Sequence, residues 1–375
     1  MRIGIVTWFK GPNYGTVLQA IALQWYLKKQ GHEVFIINYS DELIAWKPEP
    51  VKRKITTRIK NKITRIITIK ANEKFKEEIE YRDESMWRTE LENCQFSKEL
   101  LSVESFVNEC NEYDIIVVGS DQLWNPTWYS PLYFLDYEGL ETRRISYAPS
   151  TGVSVIPADI ALKIEHGLKK FSAISVREDK GSELLSKISP IFPVVVVDPT
   201  LLLDERDWES IIPKEKRLVN EKYVLSIFLT DNYFHWKAAK SFAKERKMLH
   251  VVVPYMGVSY FQSKYVQADT DLVKLFNLIS NAEYVITDSF HITVFSIIHK
   301  KNFYVFERFN ETSTGSTNSR VRNMLQISKL ENRLLRYKSS RIPDLNDIEY
   351  DASFCELEKQ IKKSKQFLKD AIEND

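Results

Sequence analysis

The sequence predicts an α/β protein of two domains, each built on a doubly wound parallel sheet. Short apolar segments typical of buried strands alternate with segments of helical periodicity along most of the chain. At 375 residues the chain is long enough for two domains, and a charged, loop-like stretch at 213–221 interrupts the alternation. We therefore predict an N-terminal domain over 1–212, a C-terminal domain over 221–345 and a terminal helical segment over 346–375.

The N-terminal domain begins with a strand, a loop, a helix and a second strand. Residues 2–8 form a buried strand, a Gly/Pro/Asn loop follows at 10–15, and 16–30 is helical up to Gly31, which suits a helix end. The second strand lies at 34–38, and this unit opens a doubly wound sheet. Because the loop lacks the G-x-G-x-x-G pattern, we predict no nucleotide cofactor.

Residues 52–76 are unusual because ten lysines and arginines accompany a single acid, Glu73. Isoleucines at helical spacing predict a helix here, within a helical insertion over 52–110. A basic amphipathic helix can lie on an anionic membrane surface, which would give peripheral contact with the inner face of the membrane. The alternative is a helix that packs on the domain and exposes its basic face to water.

Polar side chains follow the strand predicted at 113–118. The residues after it include Ser120, Asp121, Gln122 and Trp124. An aspartate at this place can hold or deprotonate a hydroxyl, whereas the alternative is a cap of the following turn. The tryptophan offers a flat apolar surface on which a sugar ring can stack.

Further strands of the domain are predicted at 144–148, 173–176 and 194–197. The second of them leads into Arg177, for which the alternative to a ligand-binding role is a structural ion pair. The third leads into an Asp-Pro-Thr sequence that begins at Asp198. Such a sequence is more typical of a turn than of a site, so it is left out of the catalytic set.

The C-terminal domain resumes the alternation with a strand at 223–229. Its further elements are predicted, in chain order, at 234–247, 250–254, 272–280, 284–287 and 303–306. A Ser/Thr/Gly-rich loop at 310–318 precedes a helix that begins near Arg320. The terminal segment contains a lysine-rich amphipathic helix at 354–372.

The most informative segment is Thr-Asp-Ser-Phe-His at 287–291, where an apolar strand ends. In open α/β sheets ligands bind at the carboxyl ends of the strands, and the next residues have helical periodicity. We therefore expect His291 in a cleft, near a helix N-terminus whose free N–H groups attract anions. The alternative is a histidine packed beneath a loop and hydrogen-bonded to the backbone.

Composition and spacing exclude several classes of protein. A formal net charge of +2 argues against nucleic-acid binding. The three cysteines are widely spaced, and no group of Asp, His, Glu or Cys has the spacing of metal ligands. No segment has the ~18 apolar residues of a membrane span or the pattern of a signal peptide. We predict a cytoplasmic protein without a bound metal.

Taken in order, these segments resemble the motifs of the polysaccharide pyruvyl transferase family over residues 1–330. The matching segments are Asn13-Tyr14-Gly15 with Leu18-Gln19-Ala20, the stretch 119–125, Ser146-Tyr147-Ala148, Arg177-Glu178, Asp198-Pro199-Thr200 and the stretch 287–291. The resemblance implies two Rossmann-like domains facing each other across a cleft, in a GT-B-like arrangement. In such folds the last helix often crosses back to the first domain.

The resemblance also implies a reaction. Pyruvate would pass from phosphoenolpyruvate, the donor substrate, to two hydroxyls of one sugar and form a pyruvyl ketal, with no further cofactor. The acceptor would be a capsule, an exopolysaccharide or another bacterial cell-envelope glycan, or its lipid-linked precursor. Two alternatives stay open: a GT-B-like glycosyltransferase with a nucleotide-sugar donor, and a non-enzymatic glycan-binding protein at the membrane surface.

Roles follow for individual residues. We expect His291 to donate a proton or bind phosphate, Asp121 to accept a proton from the sugar hydroxyl, and Arg177 to bind an anionic group of the donor. The residues expected to bind substrate are Asn13, Tyr14, Gln19, Ser120, Gln122, Trp124, Ser289 and Arg320.

The sequence departs from the family pattern in the segment around His291. Ser289 stands where some members carry an arginine, and Ile292 stands where a glycine is usual. Arginine is a rigid bidentate donor for phosphate or carboxylate, and serine carries no charge. Arg177, Arg320 or Arg322 would then have to meet the anion.

Overall fold

The computed structural model describes residues 1–44, 55–310 and 317–374. The described residues contain two large parallel sheets and a two-stranded one, with helices on the faces of the large sheets, so the predicted α/β class with two Rossmann-like domains is confirmed. Among the described residues, no helix has the length and apolar character needed to span a bilayer. The boundaries that we predict for the domains stay a prediction.

The N-terminal domain has a four-stranded sheet and a small two-stranded one. Its strands are β1 (Arg2–Val6), β2 (Glu33–Ile36), β3 (Ile115–Val118), β4 (Arg143–Ser146), β5 (Ser175–Val176) and β6 (Val194–Val195). The first four are parallel in the order β2-β1-β3-β4, and β5 pairs with β6. Its helices are α1 (Tyr14–Lys29), α2 (Ile55–Lys74), α3 (Lys76–Asn93), α4 (Val103–Cys110), α5 (Ala158–Leu168), α6 (Asp179–Leu185) and α7 (Glu205–Ile211).

The C-terminal domain has one six-stranded sheet. Its strands are β7 (Tyr223–Ile227), β8 (Leu249–Val252), β9 (Tyr265–Val266), β10 (Tyr284–Thr287), β11 (Asn302–Phe306) and β12 (Leu334–Leu335). They are parallel in the order β12-β11-β10-β7-β8-β9. Its helices are α8 (Tyr233–Glu245), α9 (Leu272–Asn281), α10 (Phe290–Ile298), α11 (Asn318–Ile327) and α12 (Tyr350–Glu373).

Two buried helices position the site between the domains. All four residues of β3 are buried, as expected for a central strand of a parallel sheet covered on both faces. In α10 every residue is buried, because this apolar helix contacts α1, α9 and α11. The first turns of α1 and α10 meet where the two domains face each other, so the carboxyl ends of both sheets open onto one cleft.

The basic insertion packs against the C-terminal domain. Its first helix is described from Ile55, while residues 52–54 of the predicted helix lie outside the described residues. Thr68 lies against Gly257, where an added Cβ would come within 2.4 Å of the threonine hydroxyl. From α3, Ser85 donates to Asp271 over 2.9 Å. The inner face of the insertion therefore bridges the two domains, as the packed alternative predicts, and its outer face is exposed.

The last helix, α12, contacts both domains. Near its start the Tyr350 hydroxyl donates to the carbonyl of Lys301 over 2.6 Å. Further along, Ser364 accepts a hydrogen bond from the backbone of Val197 over 2.9 Å. At its end the guanidinium of Arg143 donates to backbone carbonyls of the terminal residues. Helix α12 thus returns from the C-terminal to the N-terminal domain.

Candidate active site

A buried ion pair joins the exits of β5 and β6. Arg177 follows β5, and its Nη1 donates to Oδ2 of Asp198 over 2.6 Å. Its Nη2 lies 3.4 Å from Oδ1 of Asp121, which follows β3. The other oxygen of Asp198 accepts from the backbone and hydroxyl of Thr200. Asp198 is therefore both a turn cap and the main partner of Arg177.

The loop after β3 fixes Asp121 from two sides. This residue has a left-handed backbone with φ of 65°, which aspartate tolerates better than most residues. Its Oδ1 accepts from the backbone of Gln122 over 2.9 Å, and its Oδ2 accepts from the hydroxyl of Thr16 over 3.2 Å. Both oxygens of Asp121 are thus engaged within the N-terminal domain.

His291 reaches this cluster from the C-terminal domain. Its Nε2 lies 3.6 Å from Oδ2 of Asp198. The ring also lies against Gly15 in the first turn of α1, where an added Cβ would come within 2.0 Å of Nδ1. Only a glycine leaves room for the imidazole in this position. The buried Nε2 of His291 has no hydrogen-bond partner among the described residues, so that nitrogen is not bonded to loop backbone.

Arg320 brings a second guanidinium from α11. Its Nη1 lies 3.9 Å from Oδ1 of Asp121, and its side chain is only 5% exposed. Its Nε is buried and has no hydrogen-bond partner within the described part of the chain. Arg322, by contrast, lies at the surface and pairs with Glu307, so it does not meet an anion in the cleft.

The charges of the cluster shift its pKa values. Burial acts to raise the pKa of Asp198, but attraction to His291 and Arg177 outweighs burial and holds the pKa well below its ordinary value. The pKa of Asp121 is lowered for the same reason, since Arg177, His291 and Arg320 together offset its burial. Both carboxylates are therefore ionised at neutral pH.

Three expected substrate-binding residues on and before α1 are engaged in holding the fold. Asn13 caps α1 by accepting from the backbone of Gly15 over 3.0 Å. The Tyr14 hydroxyl donates to the carbonyl of Thr270 over 2.7 Å, across the domain interface. Both side chains thus hold the fold, and their expected contact with a substrate stays a prediction.

Gln19, the third, is fully buried and links two loops of the site. Its amide nitrogen donates to the carbonyl of Trp8 over 2.8 Å, and its amide oxygen accepts from the backbone of Ser120 over 3.0 Å. Ser120 is fully buried too, and its hydroxyl donates to the carbonyl of Ala148 over 2.9 Å. Gln19 and Ser120 therefore position the loops rather than contact a sugar.

The expected sugar contact through Trp124 is wrong. Its ring is fully buried, its N–H donates to the carbonyl of Tyr133 over 2.8 Å, and it stacks on Phe134. The physical reason is that the chain after 125 folds back over the ring. Gln122 remains partly exposed beside this loop, where its carbonyl accepts from the indole of Trp128 over 3.0 Å.

Another pair of indoles in the N-terminal domain is partly exposed instead. Trp8 follows β1 and Trp128 follows β3, and their ring centroids are 6.0 Å apart with an interplanar angle of 41°. The Trp8 N–H donates to the hydroxyl of Tyr133 over 2.7 Å, which fixes the ring. Both rings are half-buried. The sequence analysis did not single them out: Trp8 ends the predicted first strand, and Trp128 lies ten residues after β3.

Ser289 precedes α10 and is 5% exposed. Its backbone N–H donates to the hydroxyl of Thr287 over 3.0 Å, while its side chain makes no capping bond. The neighbouring Asp288 accepts from the backbone of Leu229 over 2.6 Å and so joins the exits of β10 and β7. Among the described residues, no group of His, Cys, Asp and Glu has a metal-binding arrangement.

Solved structures share this architecture. A structure assigned to a UDP-N-acetylglucosamine 2-epimerase from Listeria monocytogenes superposes with a TM-score of 0.51 at 11% identity, covering 99% of this chain and 90% of that one. The UDP-GlcNAc 2-epimerase from Methanocaldococcus jannaschii gives a TM-score of 0.50 at 10% identity, covering 96% and 93%. At such identities the likeness shows the fold alone. No curated protein gives a significant match.

Two Rossmann-like domains that bring arginine, aspartate and histidine side chains together in one cleft define an enzyme of GT-B-like fold. A family model described as polysaccharide pyruvyl transferase matches residues 13–308, most of the chain. The protein belongs to this family and is a transferase, and its family's chemistry is the pyruvylation of polysaccharide.

Proposed function

We propose that this enzyme transfers pyruvate from phosphoenolpyruvate to a sugar of a cell-surface polysaccharide or of its lipid-linked precursor, forming a pyruvyl ketal. The observation that carries the proposal is the row His291–Asp198–Arg177 across the domain interface. This row holds an imidazole, a side chain that can donate and accept protons, near a buried guanidinium. The reaction needs both, because it moves a proton onto carbon and handles a highly charged donor.

The donor would bind between Arg177 and Arg320. Phosphoenolpyruvate carries a carboxylate and a phosphate, which match the planar fork of arginine. Both guanidiniums are almost fully buried, so their attraction for an anion is screened much less than at the surface. The buried, unpartnered Nε of Arg320 provides a donor that no described residue uses.

His291 would carry the proton in the first step. The imidazolium gives its proton to the methylene carbon C3 of the donor, and the C2=C3 electron pair forms the new C–H bond. The first sugar hydroxyl then forms a C–O bond to the electron-poor C2 and gives its proton to the imidazole, which restores the imidazolium. Asp198, 3.6 Å away, stabilises that charged form.

The second step closes the ketal. The bond between C2 and the phosphate oxygen breaks, and its electron pair leaves with the phosphate. The second sugar hydroxyl forms its C–O bond to C2, and its proton leaves with the phosphate as hydrogen phosphate. Arg177 and Arg320 would stabilise the negative charge that develops on the leaving group.

The contacts of Asp121 favour a role other than the expected base. Both its oxygens accept hydrogen bonds, and the nearby guanidiniums lower its pKa, so it is a weak proton acceptor. We assign it to positioning Arg177 and Arg320, which approach the same oxygen from opposite domains. The proton shuttle through His291 does not need a second base.

The acceptor would lie on the indole pair Trp8 and Trp128. Aromatic rings stack on the apolar faces of sugars, and both rings are partly exposed. The Trp8 loop and the Ser120–Asp121 loop are held together by Gln19, so a sugar on the indoles would lie beside the charged cluster.

The outer face of α2 supports peripheral membrane contact, which would bring the enzyme to a lipid-linked acceptor in the cytoplasm. Ile66 and Ile69 are each 47% exposed, next to the exposed basic side chains Arg65 and Lys70. Flotation with vesicles of phosphatidylglycerol and phosphatidylcholine tests this. Binding that Arg65→Glu/Lys70→Glu abolishes supports the contact, and equal flotation of the double variant contradicts it.

The decisive experiment measures phosphate release from phosphoenolpyruvate, with a lipid-linked glycan fraction as acceptor. Acceptor-dependent release should fall by about a hundredfold or more in His291→Ala. His166→Ala is the matched control, because that histidine lies at the surface and pairs with Asp136. Absence of release together with turnover of a nucleotide sugar would favour the glycosyltransferase alternative. Glycan binding without turnover of either donor would favour the non-enzymatic one.

A further inference from the structure

We infer that Arg308 supplies the positive charge that Ser289 lacks, and that with Arg320 it binds the phosphate group of the donor. The inference rests on the proposed function, because it takes an anionic donor to enter this cleft. Arg308 was not among the residues that the sequence pointed to. Its place in the sheet, its partners and its surroundings assign it this role.

The sheet brings Arg308 and Ser289 to the same edge. Strands β10 and β11 are parallel neighbours, with Thr287 in register with Val305. Residues that follow the two strands therefore leave the sheet side by side. Extended past the strands, this register sets Ser289 opposite Glu307, the residue next to Arg308. Nη2 of Arg308 donates to the carbonyl oxygen of Asp288 over 3.0 Å, so the guanidinium lies beside the backbone that leads into Ser289.

Arg308 keeps donor capacity that the protein does not use. Its Nε is buried without a hydrogen-bond partner among residues 1–44, 55–310 and 317–374. The adjacent Glu307 is already paired with Arg322. The carboxylate of Asp288 is likewise engaged by the backbone of Leu229. A buried guanidinium donor left idle costs free energy, which an incoming anion would recover.

Arg320 lies close to the same place. Asn318, at the start of α11, accepts from the backbone N–H groups of Arg308 and Phe309 over 3.0 and 3.2 Å. This contact ties the exit of β11 to the first turn of α11, which carries Arg320. Burial and the charges of Arg177 and Arg308 lower the pKa of Arg320 to about 9. The guanidiniums repel one another until an anion lies between them.

The side chain of Ser289 neither fills nor neutralises the space that we assign to the phosphate group. It is small, uncharged and makes no capping bond to α10. An arginine at 289 would carry a positive charge after β10, whereas Arg308 carries one after the neighbouring strand β11. The phosphate would then meet the N-terminus of α10, whose free N–H groups add to the attraction.

The test measures binding of inorganic phosphate and of phosphoenolpyruvate by calorimetry, together with KM for phosphoenolpyruvate. Arg308→Gln removes the charge and keeps a donor for the Asp288 carbonyl. This variant should raise the dissociation constants of both ligands by about tenfold to a hundredfold. Ser289→Arg in the Arg308→Gln background should recover at least part of that loss. Arg341→Gln is the matched control, because it removes one exposed arginine of the same domain.

Thermal melting of each variant shows that it is folded. If folded Arg308→Gln binds phosphate and phosphoenolpyruvate as tightly as the wild type does, the inference is wrong. If adding Ser289→Arg to this variant recovers none of the lost affinity, an arginine at 289 does not replace Arg308. If the wild type turns over phosphoenolpyruvate and Arg308→Gln binds it equally well, the inference fails and the proposed function stands. If the wild type binds phosphate through Arg308 without turning over phosphoenolpyruvate, the proposed function fails and the anion site stands.

Discussion

Gly15 and His291 touch across the domain interface, so closely that a Cβ on the glycine would lie 2.0 Å from Nδ1 of the imidazole. The two residues belong to the first turns of α1 and α10, which follow the loops after β1 and β10. The position of His291, which belongs to the C-terminal domain, therefore depends on Gly15 of the N-terminal domain. The contact also explains why a small residue stands in the first turn of α1.

Gly15→Ala should lower kcat by about a hundredfold, because the methyl group displaces the imidazole from Asp198. In an ordinary helix the same change is stabilising by about 1 kcal/mol. In the His291→Ala background, where the ring is absent, Gly15→Ala should therefore raise stability. Urea denaturation of the four proteins, with kcat of the two that keep His291, measures the coupling. Full activity of Gly15→Ala would contradict the proposed position of the histidine.

Asp198→Asn should lower kcat more than it raises KM for phosphoenolpyruvate. The amide keeps the shape of the side chain but leaves Arg177 without its closest carboxylate and His291 without a counter-charge. Removing one partner of a buried ion pair costs about 3–5 kcal/mol, so the variant should also melt earlier. Steady-state kinetics and denaturation check both effects. A variant with unchanged kcat would show that Asp198 serves only the turn at 199–201.

Stability should fall in acid because of the same carboxylates. The pKa values of Asp198 and Asp121 are lowered in the folded protein, whereas an unfolded aspartate has a pKa of about 3.9. As pH falls through that value the unfolded chain binds more protons, so stability present above about pH 4 is lost below it. Urea denaturation between pH 6 and 3 measures the free energy of unfolding, which should fall less steeply with pH in Asp198→Asn than in the wild type. Equal slopes in both proteins would contradict the lowered pKa.

The two nearby tryptophans should respond differently to the same change. Trp128→Ala should raise KM for the acceptor by roughly fivefold to tenfold, with KM for phosphoenolpyruvate unchanged, because a stacking surface is lost. Trp124→Ala should instead cost about 3–5 kcal/mol of stability, because it empties a buried volume. Kinetics and denaturation of both variants separate these roles. A KM effect confined to Trp124→Ala would reverse the assignment.

Much of the fold was predictable because its strands are long enough to show a pattern. β1, β3, β7 and β10 are mostly apolar, and the polar residues after β3 and β10 pointed to Asp121 and His291. The two-residue strands β9 and β12 carry no periodicity, so nothing in the sequence marks them. The first helix of the insertion was visible as a pattern, but its contact with the C-terminal domain depends on distant residues.

The site was predicted less completely, for two physical reasons. Asp198 was set aside because its sequence is that of a turn, and in the structure one oxygen caps that turn while the other meets Arg177. Burial of Trp124 depends on Tyr133 and Phe134, whose fold-back cannot be inferred from spacing. The sequence around Asp198 does not reveal its second partner, and the sequence around Trp124 does not reveal the residues that cover its ring.

The course of α12 has a consequence for how the cleft opens. The chain passes from the first domain to the second ahead of β7, and it returns through α12, whose end is held by Arg143. The chain therefore connects the two domains at two places, and a line through these two places defines an axis. We expect rotation about that axis to strain the two crossings less than sliding or twisting of the domains. Donor and acceptor would therefore enter from the side opposite this axis.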